Sequence, residues 1–499
     1  MADTIKEEKQ VTVVQTDVGE KNGQNKCPKC GATDISVNSN TGKLRCNFCR
    51  HEFEPQKLEG MVEDINNLEG DVVASGASDI IADAKDVITF KCSSCGAEVA
   101  IDTASSQSAR CHWCRNVLTL NEQIPNGAVP DVILPFGIKK EEAQAEIEKF
   151  VGKRKFFAHP KFKKEFTTEN IIGVYFPYML VDVNAHSLYQ GDGEHTTRSY
   201  YLGSGDNQRR YYDADAYHIE REFDLTINGL SVESNSDRLD TTSKTKTNNI
   251  INAIMPFDVE NAVKFNANYT RGYNSEKRDL NIEGLKDIVE TQAADISRFA
   301  ANDSLQGYDR GVAWSVQNVS IKGKQWKSAY LPVWLYSYQE KKKDKSLLHY
   351  VAVNARTKET MGSVPIHMPV LVGISSIVEI FGVLAMIFVD WKYRYLFLLL
   401  GFIYFLIMYN KYRNSNARHN YESETKRTVT NLRKVDQFFE SRKRLSSSRI
   451  NGANNTTVNG DKNKDVLSKI KTSSLVNGIA DRDLMAGIVK DAVDKAKNK

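Results

Sequence analysis

Hydrophobic and polar residues alternate over residues 217–227, apart from Arg221, which falls on the apolar side. A period of two is typical of a strand with one buried face. The run Gly-Ser-Gly-Asp-Asn at 203–207 predicts a turn that joins this strand to an earlier one near 199–202. We therefore expect a pair of strands linked by a turn in the middle of the chain.

Two other segments have helical periodicity. Residues 140–151 place Ala143, Ile147 and Phe150 on one face, and residues 284–301 predict a second helix. Together with the strand pattern, they predict an α+β domain over residues 124–365.

Two short patterns each occur twice within that domain. Ile-Leu-Pro-Phe at 133–136 resembles Ile-Met-Pro-Phe at 254–257, and Tyr-Phe-Pro at 175–177 resembles Tyr-Leu-Pro at 330–332. The order of a Pro-Phe strand, a helix and a Tyr-x-Pro strand therefore repeats, which predicts two related halves. The alternative is that two apolar strands each carry a proline at an edge or bulge.

A mostly apolar run covers residues 368–389, and a second covers 395–409. A helix needs about 20 apolar residues to cross a bilayer. The two runs, with a short polar turn between them, predict a transmembrane hairpin over residues 368–412. The alternative is a pair of buried helices in a soluble domain.

Charge predicts how that hairpin is oriented. Residues 411–449 contain 11 Lys/Arg and four Asp/Glu, as expected of a cytoplasmic flank. Because a hairpin returns the chain to one side, both termini are expected in the cytoplasm of a multi-pass cell-membrane protein. The polar first 20 residues predict no secretory signal peptide. Glu379 lies in the middle of the first span, where a carboxylate is costly unless it is protonated or paired.

All eight cysteines fall into CxxC pairs, and the pairs form two CxxC-x15-CxxC motifs. This spacing predicts four-thiolate zinc sites, each closed to water and therefore structural. Disulfides would need an oxidising compartment, and an iron–sulfur cluster is the other alternative. His51 and His112 are expected to be surface residues. The predicted ligands of two Zn²⁺ ions are Cys27, Cys30, Cys46 and Cys49, and Cys92, Cys95, Cys111 and Cys114.

The predicted fold is therefore multidomain α+β, with two tandem zinc ribbons, a central α+β domain and a carboxy-terminal transmembrane hairpin. Its predicted segments are a disordered amino terminus (1–25), zinc ribbon 1 (26–55), an acidic linker (56–89), zinc ribbon 2 (90–120), the α+β domain (124–365), the hairpin (368–412) and a basic polar cytosolic tail (413–499).

Motifs for common enzyme chemistry are missing. The sequence has no phosphate-binding loop G-x-x-x-x-G-K-[ST], no G-x-S-x-G elbow and no H-E-x-x-H motif. His186, His195 and His218 lie near carboxylates but match no metal or catalytic spacing. We expect no catalytic residues, no cofactor-binding residues beyond the cysteines and no small-molecule substrate.

The tandem CxxC motifs, with Val-Ile-Leu-Pro-Phe at 132–136, Gly-Val-Tyr-Phe-Pro at 173–177 and Tyr-Leu-Pro-Val-Trp-Leu at 330–335, resemble a bacterial family of membrane proteins. Its members are described as TFIIB-type zinc-ribbon-containing proteins. The resemblance runs from about residue 26 to the hairpin. It implies a membrane adaptor associated with flotillin-like or phage-shock-type proteins.

These observations predict a non-enzymatic, membrane-anchored adaptor or scaffold for proteins of the envelope. The alternative is a membrane-tethered nucleic-acid-binding protein involved in transcription or replication. The ribbons are only mildly basic, since residues 26–54 sum to +2 and residues 90–118 to +1. The acidic linker also repels phosphate, so the composition favours the adaptor.

Overall fold

The structure is a computed structural model. It describes residues 11–14, 27–30, 32, 35–37, 43–55, 58, 61–78, 87–91, 98–102, 123–125, 130–236, 239, 246–247, 251–265, 269–270, 272–276, 278–342, 345–388, 397–412, 416–417, 419–446 and 457–458.

The described residues form a mixed α+β fold. Its strands are β1 (Val11–Val14), β2 (Ile35–Val37), β3 (Leu44–Cys46), β4 (Glu52–Phe53), β5 (Gly70–Ala74), β6 (Val87–Lys91), β7 (Glu98–Asp102), β8 (Gln123–Pro125), β9 (Val132–Ile133), β10 (Ile172–Leu202), β11 (Arg209–Glu233), β12 (Lys246–Thr247), β13 (Val263–Lys264), β14 (Asn274–Glu276), β15 (Val312–Lys342), β16 (Lys345–Asn354), β17 (Thr360–Gly362), β18 (Asn416–Ala417), β19 (Lys426–Leu445) and β20 (Thr457–Val458). Its α-helices are α1 (Ser75–Ser78), α2 (Lys140–Gly152), α3 (Pro160–Glu165), α4 (Ile282–Asp303), α5 (Met368–Ala385), α6 (Leu400–Tyr412) and α7 (Tyr421–Glu424).

Long antiparallel strands dominate the fold. β10 pairs with β11 on one side and with β15 on the other, and β19 extends the sheet beyond β11. The far edge of β15 pairs in turn with β20, β5, β9 and β16. A strand of 31 residues, such as β10 or β15, is about 100 Å long when fully extended.

The buried face of this sheet packs against α4. Residues of α4, such as Val289 and Ile296, share one core cluster with Phe223 and Leu225 of β11. The alternation predicted for residues 217–227 is confirmed, since the exposure of β11 alternates along its length. The predicted turn at 203–207 does connect β10 to β11. The two predicted helices are also present, as α2 and α4.

The repeated Tyr-x-Pro motifs pair directly with one another. Phe176 of β10 lies opposite Leu331 of β15, which places each proline opposite the tyrosine of the other motif. The carbonyl of Pro177 accepts a hydrogen bond from the N–H of Ser234 at 3.2 Å, and that of Pro332 accepts one from Ala355 at 3.1 Å. Both donors directly follow the return strand of a hairpin. Two related halves of the α+β domain would give this local two-fold arrangement. That the two halves are related stays a prediction.

Strands form within three of the predicted segments: the disordered amino terminus, the acidic linker and the basic polar tail. β1 lies within the segment predicted to be disordered, and it pairs with β5, which lies within the predicted acidic linker. β5 itself pairs with β15 of the central sheet. The predicted tail contains β19, which pairs with β11 along almost its whole length.

β19 was not predicted from the sequence, because charge hides the strand pattern. This strand has seven Lys/Arg and two Asp/Glu, and most of its side chains are exposed. Ion pairs with acidic residues of β11 and of β10, the next strand in the sheet, replace apolar contacts. Examples are Arg433 with Glu222 at 3.4 Å and Arg444 with Glu194 at 2.6 Å.

One helix among the described residues, α5, is long and apolar enough to cross a membrane by length and composition. The predicted second span contains α6, which has 13 residues and is shorter than a span requires. The two helices pack closely, because a Cβ atom on Gly401 would lie 2.3 Å from the carbonyl oxygen of Ser375. The structure thus gives one candidate span, and residues 389–396 between the helices lie outside the described part.

Candidate metal centre

Four predicted ligands of the first zinc site come together in the structure. The Sγ atoms of four cysteines all lie within 4.8 Å of one another; these are Cys27, Cys30, Cys46 and Cys49. The Sγ atoms of Cys27 and Cys49 are 3.5 Å apart, and those of Cys30 and Cys46 are 3.6 Å apart. These distances exceed a disulfide bond length of about 2.05 Å, so the four thiols are free.

A small antiparallel sheet positions these cysteines. β3 pairs with β2 and β4, and its last residue is Cys46. Beyond β3 the chain turns back sharply, with the N–H of Arg50 bonded to the carbonyl of Cys46 at 2.8 Å. Arg50 has a φ of 59°, which is unusual for a residue with a side chain. The N–H of Cys49 points at the Sγ of Cys46 at 3.5 Å, so this turn also supports a sulfur ligand.

The first CxxC pair closes a similar turn. The N–H of Cys27 donates to the carbonyl of Ala32 at 2.8 Å. The two turns therefore present all four sulfurs to a common centre.

Electrostatics within the cluster favour a bound cation. Burial raises the pKa of Cys27, but hydrogen bonds from the N–H groups of Lys29 and Cys30 and from neighbouring thiols lower it to about 7. The N–H of Ala32 lowers the pKa of Cys30, whereas burial and the three neighbouring thiols raise it to about 12. A divalent cation at the centre of the cluster would favour the thiolate form of all four cysteines.

The geometry fits zinc. A tetrahedral ion with Zn–S bonds of about 2.3 Å separates its sulfurs by about 3.8 Å, close to the 3.5 and 3.6 Å between paired sulfurs here. His51 is not part of this ligand set and instead stacks on Phe53, with 6.1 Å between ring centroids. A four-cysteine centre able to hold a metal ion is therefore present near the amino terminus.

The second predicted site lies outside the described residues. This applies to Cys92, Cys95, Cys111, Cys114 and the neighbouring His112. The strands around them are described: β6 pairs with both β7 and β8. β7 also pairs with β14, so these strands join the central sheet. The second ion stays a prediction.

The metal centre is attached to the α+β domain through apolar contacts. Leu44, two residues before Cys46, is 1% exposed and belongs to one cluster with Tyr175, Tyr269 and Tyr330. Phe53 of β4 packs against the same cluster. From the sequence, we expected the ribbon to be separate from this domain. The only sign of the contact in the sequence was an apolar residue, Leu44, two positions before Cys46.

The three histidines considered from the sequence do not assemble into a site. The Nδ1 atom of His186 lies 3.0 Å from Asp224, and that of His218 lies 2.7 Å from Asp192. His195 contacts the carbonyl of Gly307 instead. His195 and His218 are exposed at the surface, and His186 is partly exposed.

Known proteins include a relative of this chain. "Uncharacterized protein YdjG" of Bacillus subtilis (strain 168) is similar to this chain, with 26% identity over 343 residues. The matched region makes up 68% of this chain and 89% of the relative. No family model matches the chain, and no solved structure matches it. The similarity extends along most of both proteins, and the name of the relative gives no function.

Proposed function

We propose that this protein is a non-enzymatic adaptor that holds a zinc-ribbon domain at the cell membrane and recruits other proteins to it. The zinc would be structural, because four cysteines fill the tetrahedral positions and leave none for water or substrate. The four-cysteine centre, the long sheet and the candidate spanning helix supply the three parts such an adaptor needs.

The contact between the domain and the apolar helices is the observation that carries this proposal. The Tyr412 hydroxyl accepts a hydrogen bond from the N–H of Phe157 at 3.0 Å. Arg154 donates through Nε to the carbonyl of Lys411 at 2.9 Å. The N–H of Val364 donates to the carbonyl of Tyr412 at 3.2 Å. These bonds fix the last turn of α6 against the region around α2 and α3, so a membrane anchor would hold the domain in a defined position.

We further propose that residues 368–412, which contain α5, the second apolar run at 395–409 and α6, form a two-helix membrane hairpin. The carboxylate of Glu379 accepts a hydrogen bond from the N–H of Gly401 at 2.7 Å. Gly401 is in the first turn of α6, where N–H groups have no partner within the helix. In a bilayer an unpaired N–H is costly, so Glu379 would stabilise the beginning of the second helix. The basic residues after α6 favour a topology with both termini in the cytoplasm.

The family and partner proposals rest on sequence resemblance. We propose that the chain belongs with the bacterial TFIIB-type zinc-ribbon membrane proteins and holds two structural zinc ions. Flotillin-like and phage-shock-type proteins are then the first partners to test.

The test is crosslinking and affinity purification of the full-length protein from its native membrane. The proposal expects a reproducible set of envelope proteins that is lost when residues 368–412 are deleted. Tyr412→Phe removes the acceptor for Phe157 and should reduce recovery, whereas Tyr404→Phe should not. Recovery of nucleic acid in a salt-sensitive, cysteine-dependent manner would contradict the proposal and favour the nucleic-acid-binding alternative.

A further inference from the structure

A cavity of about 360 Å³ opens between the start of α2 and the central sheet. It is distinct from the metal centre and was not predicted from the sequence. Aromatic side chains make up much of its wall. These are Phe136, Tyr175, Tyr269, Tyr273 and Trp334.

The aromatic wall is held rigidly. Phe136 stacks on Tyr273 at 4.2 Å between centroids and meets Trp334 edge-on at 4.9 Å. Trp334 donates through Nε1 to the carbonyl of Ile138 at 2.9 Å. Gly173 lies beneath the stack, where a Cβ atom would come within 2.4 Å of the Tyr273 ring. A preformed apolar wall of this kind suits a flat aromatic ligand.

One polar group in the wall has no partner among the described residues. Tyr269 is 3% exposed, and no described residue forms a hydrogen bond with its hydroxyl. Burying a hydroxyl without a partner is unfavourable, so such groups call for an explanation. A polar group on a bound ligand would supply the missing hydrogen bond.

The mouth of the cavity favours negative charge. The cavity is lined there by Lys139, Lys140 and Glu141, at the beginning of α2. The Lys139 side chain does not cap α2, whose first N–H groups carry the positive end of the helix dipole. Arg356 lies nearby, but Asp258 neutralises it through bonds of 2.6 to 3.0 Å. The remaining lysines leave a net positive mouth.

We propose that this cavity binds an aromatic carboxylate that carries a second polar group. The ring would lie against the aromatic wall, and its carboxylate would face Lys139 and the start of α2. The second polar group would hydrogen-bond to the Tyr269 hydroxyl. Such a ligand matches the aromatic wall, the positively charged mouth and the Tyr269 hydroxyl of the cavity.

The experiment is calorimetric titration of the full-length protein, reconstituted in nanodiscs, with 4-hydroxybenzoate and with benzoate. We expect saturable binding, with 4-hydroxybenzoate favoured about ten-fold through one additional hydrogen bond. Tyr269→Phe should remove this preference and leave the affinity for benzoate nearly unchanged. The matched control is Tyr178→Phe, which removes another buried hydroxyl that has no partner among the described residues and lies outside the cavity wall.

Three results would overturn the proposal. The first is the absence of saturable binding of either acid at millimolar concentration. The second is equal binding of methyl 4-hydroxybenzoate, which has no charge, or tighter binding of benzyltrimethylammonium, which is a cation. The third is a Tyr269→Phe variant that prefers 4-hydroxybenzoate over benzoate as strongly as the Tyr178→Phe variant does.

Discussion

Arg221 of β11 and Asp436 of β19 form a two-point ion pair across the sheet. The Nη1 and Nη2 atoms of Arg221 donate to the two carboxylate oxygens of Asp436 at 2.5 and 3.1 Å. The guanidinium is 1% exposed, whereas Asp436 is 39% exposed. The one charge on the apolar side of β11 therefore has its partner in β19.

Removing Asp436 should destabilise the sheet. Asp436→Ala leaves a buried guanidinium without its counter-charge, which costs about 3–5 kcal/mol in fully buried pairs. Because Asp436 is partly exposed, we expect about 2–3 kcal/mol here. Urea denaturation in detergent, followed by tryptophan fluorescence, measures the change.

Glu440→Ala is the control for this prediction. Glu440 lies on the same strand and pairs with Arg442, but it is 48% exposed, so its removal should cost less than about 0.5 kcal/mol. Equal losses for Asp436→Ala and Glu440→Ala would show that Arg221 does not depend on its partner.

The metal centre should depend on sulfur and not on the neighbouring histidine. Cys46→Ser removes one of four ligands, and we expect it to abolish the thiolate-to-cobalt charge-transfer band of this site after cobalt substitution. His51→Ala should leave the band intact. A spectrum that changes with His51→Ala and not with Cys46→Ser would refute the ligand assignment.

Close contact between α5 and α6 should make Gly401 sensitive to substitution. In Gly401→Ala the new methyl group meets the backbone of Ser375 and the side chain of Glu379, and we expect a loss of about 1–3 kcal/mol. Gly373→Ala is the control, since its Cβ would have open space around it. Thermal unfolding of the full-length protein in detergent compares the two, and similar stabilities would argue against the packed pair.

Acid should weaken a charge network on the exposed face of the sheet. The Lys322 ammonium at 2.8 Å, with Asn431 and His186, holds the pKa of Asp224 below its ordinary value, although partial burial raises it. A lowered native pKa means that the stabilisation is present above the ordinary carboxyl pKa of about 3.9. It is lost as the pH falls through the native value.

The comparison of wild type with Asp224→Asn isolates this contribution, because other acid-sensitive groups are common to both proteins. The difference in their unfolding free energies should shrink between about pH 5 and about pH 2. A difference that stays constant or grows over this interval would mean that the Asp224 carboxylate is not stabilised in the folded state.

Sequence patterns predicted the elements in which one physical signal dominates. The alternation at 217–227 identified the buried face of β11, and the CxxC spacing identified the four cysteines, Cys46 among them, that come together near the amino terminus. Both signals are local, since strand pleating and sulfur ligation act over a few residues.

The missed features depend on distant partners. β19 is a strand because acidic residues of β10 and β11 pair with its basic residues. Nothing in the sequences of β10 and β11 indicates that these acidic residues pair with residues of β19. The cavity likewise combines Phe136, Tyr269 and Trp334, which are far apart in the chain. The second apolar run suggested a full span by composition, whereas the helix that forms in it, α6, has 13 residues.

The most direct test of the account is the metal content of the protein in membranes washed with alkaline carbonate. A membrane-anchored zinc-ribbon protein should stay in the pellet and, once purified from it in detergent, contain two zinc ions per chain. Release of the protein into the wash, or a membrane-bound protein that contains iron or no metal, would contradict the account.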